Sequence, residues 1–180
     1  MSLHEIVLPG TEPETEWVRG RALQKVSPTY PHGRLQFILA LDVNAWLERE
    51  RHGRVSLEWR FRVTPPGEVT RPLVPDVAYL SYEAMPEDAT SEDVAAPLAA
   101  PTVAFEILSP DDERHDVEHK TQTYLRSGTS AVVIVDPDRN RIIVHDTTGT
   151  RELYAGDVFT HDAMPNFTLD ITALFERARR

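Results

Sequence analysis

Three ionisable side chains sit where the chain should be building a core. Glu106 lies inside the apolar run "TVAFEIL" (102–108). Asp76 lies inside "RPLVPDVAYL" (71–80), and Lys120 among the apolar positions of "DVEHKTQTYLRSG" (116–128). An isolated buried charge costs several kcal/mol or more, so such groups pair, give up their charge or bind a metal. On a strand over 102–108, Val103, Phe105 and Ile107 face one way and Thr102, Ala104, Glu106 and Leu108 the other. Both sets are largely apolar. That predicts a strand buried on both faces, with Glu106 inside the core or at its rim. Asp76 shares its parity with Val74 and Ala78. On the helix that follows, Val117, Thr121, Tyr124 and Leu125 form the sheet-facing stripe. Lys120, three residues after Val117 and four before Tyr124, falls beside that stripe. It can snorkel outward or turn back toward Glu106. Two inward carboxylates and a lysine are the components of a magnesium site for phosphodiester hydrolysis. Mg²⁺ takes oxygen ligands, often one or two carboxylates with substrate phosphate. The ion polarises the phosphate and acidifies a water, and a lysine orients that water or balances developing charge.

The same residues admit structural readings. Asp76 after Pro75 could form a turn. Glu106 could pair with an arginine, and Lys120 with Asp116 one helical turn away. His32 reads as a loop or helix-start residue, and Asp136 before Pro137 as a turn residue. A different chemistry is suggested by "HDVEH" (115–119), which matches H-x-x-E-H. His115 and His119 would then bind zinc, with Glu118 as the base of a hydrolase. The apolar stripe contains neither histidine, and a third ligand is unassigned.

The elements that must position these groups read as follows. Residues 1–15 form an irregular arm, and "WVRGRALQKVS" a short hairpin or edge-strand pair. "SPTYPHGRLQFILALDVNAWLERERHG" (27–53) is a turn followed by a helix, with Leu35, Ile38, Leu39, Ala45 and Trp46 on one stripe, Leu41 and Leu47 nearby, and Gly53 as its stop. "VSLEWRFRV" alternates as one half-buried strand, and "LVPDVAYLS" is another. Residues 81–100 carry five acids and no base and read as a long acidic surface loop or lid. Ser109 or Asp111 can cap the helix that follows "TVAFEIL". "SAVVIVDP" and "RIIVHD" pair as a hairpin, and "ITALFERARR" closes the chain as a helix. The order predicts an α+β (α/β) fold with a mixed, twisted central sheet flanked by helices, as one domain over 1–180.

Composition sets limits on partners. The chain has 180 residues, a net charge of -10 and no cysteine, which excludes disulfides and thiolate chemistry. The start is not a signal peptide and no run is long and apolar enough to cross a bilayer, so a cytoplasmic protein without membrane contact is expected. A charge of -10 opposes nucleic acid unless basic groups cluster. The one such cluster is "ERERHGRVSLEWRFR", with Arg49, Arg51, Arg54, Arg60 and Arg62. These also suit a solvated helix end and hairpin edge.

Read in order, "VPDV", "FEILSP", "DVEHKTQTYLRSG" and "IVDP" resemble the Uma-two family of restriction endonucleases, within the PD-(D/E)XK nuclease superfamily. "SPTYPHGRLQ" is similar to the family's segment before its first helix, and "MPNFTLDITALF" to its closing segment. The resemblance implies a restriction-endonuclease-like fold and a Mg²⁺- or Mn²⁺-dependent DNA endonuclease. Asp76 and Glu106 would hold the metal with the backbone carbonyl of Ile107, and Lys120 would position the attacking water. The superfamily's usual lysine position, two residues after the glutamate, holds Leu108, so the resemblance places the lysine on the helix. At Ala131, Val132 and Val133 the chain is more apolar than the family pattern. A homodimer would cut both strands and build a basic groove from two arginine clusters. The alternative is a catalytically idle homodimeric binding module with the same fold.

Overall fold

The computed structural model describes residues 5–180. A six-stranded mixed sheet forms its centre. The strands are β3 (Gly53–Leu57), β6 (Val77–Ser81), β7 (Val103–Ile107), β8 (Ala131–Asp136), β9 (Arg141–Asp146) and β10 (Gly149–Leu153). They lie in the order β10-β9-β8-β7-β6-β3. Only β7 and β8 run parallel. Their crossover is helix α3 (Arg114–Arg126), as a parallel pair requires. The expected α+β fold, a mixed central sheet flanked by helices, is present.

Each face of the sheet carries its own core. Val77, Tyr79, Val103, Phe105, Ile107, Val133 and Val135 pack under α1 (Tyr30–Glu50) and α4 (Ile171–Ala178). The opposite parity, Ala78, Leu80, Ala104, Val132 and Ile134, packs under Tyr124 of α3. The same core takes in β4 (Phe61–Val63) and β5 (Arg71–Leu73), a separate two-stranded pair. Every residue of β7 is buried. Its double burial explains the apolar run, and Glu106 falls on the α3 side. Gly53 admits no side chain, because a Cβ there would lie 2.2 Å from the Leu80 carbonyl oxygen.

Several segments differ from expectation, each for a local reason. "VSLEWRFRV" is not one strand. The chain breaks at Glu58, whose φ of 47° is left-handed and whose N–H donates to the Asp76 carbonyl (3.2 Å). "LVPDVAYLS" is likewise interrupted between β5 and β6, leaving Asp76 outside any strand. Helix α3 starts at Arg114, because the Asp112 carboxylate accepts the Ser109 N–H (2.7 Å) in a preceding turn. Leu41 faces away from the sheet and is exposed. The acidic stretch 81–100 holds a short helix, α2 (Ser91–Ala95). Arg54 donates to the carbonyls of Met85, Pro86 and Glu87, and Trp59 to that of Val94. It is thus bound to the body.

Candidate active site

The cleft lies where β7 ends. It has a volume of about 720 Å³ and reaches from the first turns of α1 to the start of α3. Three parts of the fold converge there. The break between β5 and β6 presents Asp76, the end of β7 presents Glu106, and α3 presents Lys120. The hairpin of β1 (Thr15–Val18) and β2 (Arg21–Gln24) closes the fourth side. Arg21 clamps this hairpin to α3 through Asp116 (2.7 Å), and Arg19 adds a second contact (3.3 Å). Asp116 therefore belongs to the hairpin, not to Lys120.

Asp76 is buried, with three partners around its two oxygens. Oδ2 accepts the Ile107 N–H (2.6 Å) and lies 3.4 Å from His32 Nε2; Oδ1 accepts from Lys25 Nζ (2.7 Å). Burial opposes its ionisation, but Lys25 and His32 outweigh that and hold the carboxyl well below the usual range. Glu106 shows the reverse. Its Oε1 lies 2.9 Å from Lys120 Nζ in an ion pair and accepts from the Tyr124 hydroxyl (3.2 Å). Burial pushes its pKa up to about 7, against the pull of Lys120 and with Asp76 adding repulsion. Lys120 turns inward, toward Glu106, and its second partner is Glu16 (2.7 Å). Glu16 in turn accepts the Val74 N–H (2.9 Å), which fixes the chain two residues before Asp76. Burial alone would pull down the pKa of both lysines, but the surrounding carboxylates raise them above the ordinary lysine value.

Four groups in this cluster went unread in the sequence, Glu16, Lys25, Gln36 and Glu58, and Tyr124 was read only as part of the sheet-facing stripe. Gln36 donates to Glu58 (2.7 Å) and to the Asp76 carbonyl (2.9 Å). His32 does stand at the start of α1 as expected, yet it also touches Asp76. No spacing rule links Glu16 or Lys25 to residues 50 and more positions away. The one available signal was a carboxylate and a lysine within an otherwise edge-like hairpin.

The donor set suits a hard cation. It offers oxygen and no sulfur, and Glu106 Oε2 has no hydrogen-bond partner among the described residues. Four carboxyl groups, Glu16, Glu58, Asp76 and Glu106, surround the two ammonium groups of Lys25 and Lys120. Among the described residues, no three His, Asp or Glu side chains are grouped to hold a metal by themselves. A magnesium-like ion needs only one or two carboxylates and completes its shell with water and phosphate oxygen. A zinc hydrolase needs three protein ligands, and "HDVEH" does not supply them. His115 is exposed, and Glu118 is taken by Arg114 (2.7 Å) on the outer face of α3.

A sequence-family model described as "Putative restriction endonuclease" (Uma2) matches residues 3–172. The chain belongs to the Uma2 family. A crystal structure of a "putative nuclease belonging to DUF820" from Anabaena variabilis ATCC 29413 superposes on this Uma2 chain with a TM-score of 0.84 and 26% identity. The match covers 95% of this chain and 94% of that one. Among proteins of curated function none matches. The family supports a nuclease role for this Uma2 protein, and its restriction-endonuclease-like relatives generally use divalent metals. Among the described residues no helix is long and apolar enough to cross a membrane.

Proposed function

We propose that the protein is a Mg²⁺- or Mn²⁺-dependent endonuclease that hydrolyses phosphodiester bonds in DNA, with Asp76, Glu106 and Lys120 as its catalytic set. The observation that carries this is the convergence of these residues, from three separate elements, in one cleft. Asp76 and Glu106 would hold the ion, with the Ile107 carbonyl as a third oxygen donor. The ion's contribution is charge, which polarises the scissile phosphate and makes a nearby water acidic enough to attack at neutral pH. Lys120 aligns the attacking water and offsets the charge that builds on phosphorus. Glu16 and Tyr124 keep Lys120 and Glu106 oriented. Lys25 and His32 hold Asp76 ionised, so this carboxylate keeps its charge down to acidic pH.

Supercoiled plasmid with Mn²⁺ tests the reading. Wild type is expected to nick it, and Asp76→Asn to do so about 10²–10³ times more slowly, the usual loss when a preorganised charge is removed. Equal rates would refute the assignment. The rim of the cleft, with Glu12, Glu14, Glu58, Asp111, Asp112 and Glu113, is acidic and favours the alternative of an idle binding module. A wild type that binds Mn²⁺ but cuts no DNA would establish that alternative.

Three of the arginines of 49–62, which suit either a groove built by two copies or a solvated helix end and hairpin edge, have partners within the chain. Arg60 pairs with Glu14, Arg62 with Glu5 and Arg54 with loop carbonyls. Self-association instead fits the outer face of α1. Tyr30, Phe37 and Leu41 are 70%, 53% and 48% exposed, on the side opposite the sheet. Arg34, on the same face, has no carboxylate within ion-pair range among the described residues. It lies seven residues before Leu41, and Glu48 seven after. Two antiparallel copies of α1 crossing at Leu41 would pair Arg34 with Glu48 twice, the self-complementarity a two-fold interface requires. Sedimentation should give twice the 20.4 kDa chain mass, and Leu41→Asp should halve it. A wild-type monomer at tens of micromolar would exclude this interface.

A further inference from the structure

The hairpin delivers a second lysine to the cleft, and nothing in the catalytic set above gives it a task. Lys25 Nζ lies 2.7 Å from Asp76 Oδ1, 2.8 Å from Glu58 Oε2 and 3.0 Å from the Val74 carbonyl oxygen. Its side chain is 12% exposed, as is that of Lys120. Each of the two site carboxylates thus has its own ammonium group. The partners differ, however. Lys120 bridges two nearly inaccessible carboxylates, Glu16 and Glu106. Lys25 bridges buried Asp76 and Glu58, whose side chain is 38% exposed at the rim. Glu58 is held there by its left-handed backbone and by Gln36. Lys25 is therefore anchored at one end and open to exchange at the other.

A cation bound to Asp76 Oδ1 would take the atom that Lys25 now holds. The ammonium group would then be displaced toward the mouth of the cleft, where an anion can satisfy it. We propose that Lys25 is a catalytic residue that binds a non-bridging oxygen of the scissile phosphate, and that in the free protein it occupies Asp76 in competition with the divalent ion. The inference rests on the nuclease reading and extends it. An ammonium group in that position offsets phosphate charge as the transition state forms. No bond to Lys25 is made or broken, and no proton leaves it.

The two halves of the proposal have opposite signs, which a purely structural lysine would not give. Lys25→Met should bind Mn²⁺ several-fold more tightly than wild type in calorimetry, because a competitor for Asp76 is gone. The same variant should lose about a hundredfold in kcat on plasmid, in the range for one transition-state charge contact. Weaker Mn²⁺ binding together with the lost rate would mean that Lys25 only supports the fold, and a wild-type rate would remove it from the reaction. If Lys25→Met does not fold, Glu58→Gln at the rim carries the test. Freed from Glu58, Lys25 should lower KM for DNA several-fold with kcat little changed, and an unchanged KM would overturn the proposal. A wild type that cuts no DNA would instead end the nuclease reading, while the Mn²⁺ comparison would still report on competition for Asp76.

Discussion

Lys120→Ala is expected to slow cleavage severely and to destabilise the fold together. The variant leaves Glu16 and Glu106 facing each other, buried, with no ammonium group between them. Removing one partner of a buried pair typically costs about 3–5 kcal/mol, because the remaining charge stays desolvated. The loss should be smaller near pH 5 than near pH 8, since Glu106 is then protonated and only Glu16 is left unpaired. Urea unfolding at the two pH values measures both quantities. A variant as stable as wild type at pH 8 would mean that Lys120 leaves the cluster in solution, as a snorkelling surface lysine would. Activity should fall by about 10²–10³, as for other single charge contacts to a transition state.

The second large effect is on the pH dependence of stability. Glu106 titrates near pH 7 in the folded protein and near 4.5 when unfolded. Between those values the folded state binds more protons, so stability falls as pH rises through this window. The gap corresponds to about 3 kcal/mol, at roughly 1.4 kcal/mol per unit. Asp76 acts oppositely. Its depressed pKa stabilises the fold above pH 4 and is lost only in stronger acid. His32, raised by Asp76, contributes stability at low pH that also fades as pH rises. Glu106→Gln separates the two slopes. Metal-free wild type should melt at a higher temperature at pH 5 than at pH 8, and Glu106→Gln should remove most of the difference. Mn²⁺ should stabilise wild type more at pH 8, because an ion that binds only the folded protein adds to its stability. A wild-type slope that survives in Glu106→Gln would place the titrating group elsewhere.

How legible was this site in the sequence? Glu106 could be read because strand periodicity is strict. One glutamate among seven apolar-run residues has a defined face, and the structure puts it on that face, under Tyr124. Helix spacing placed Lys120 beside the sheet-facing stripe but left open whether it turned outward or toward Glu106, and its site role came from the family resemblance. Asp76 was found through its apolar flanks, although the strand assumed for it is interrupted at that point. The break at Glu58 was not legible. Its left-handed backbone and its bond to the Asp76 carbonyl come from tertiary placement, and an alternating pattern continues straight across it. Glu16 and Lys25 were hidden for the same reason. Glu16 lies in, and Lys25 directly after, a pair of four-residue strands whose role depends on where Arg19 and Arg21 meet Asp116, nearly a hundred residues later. The arginines of 49–62 showed the opposite failure. Their clustering in sequence suggested a groove, but the fold gives most of them internal partners.

Diffraction from crystals soaked in Mn²⁺, recorded at a wavelength where manganese scatters anomalously, tests the central claim most directly. The expected result is one strong peak between Asp76 and Glu106, with Lys25 moved off Asp76 and Lys120 still on Glu16. No peak in the cleft at millimolar Mn²⁺, or a peak on His115 and Glu118 instead, would contradict the account.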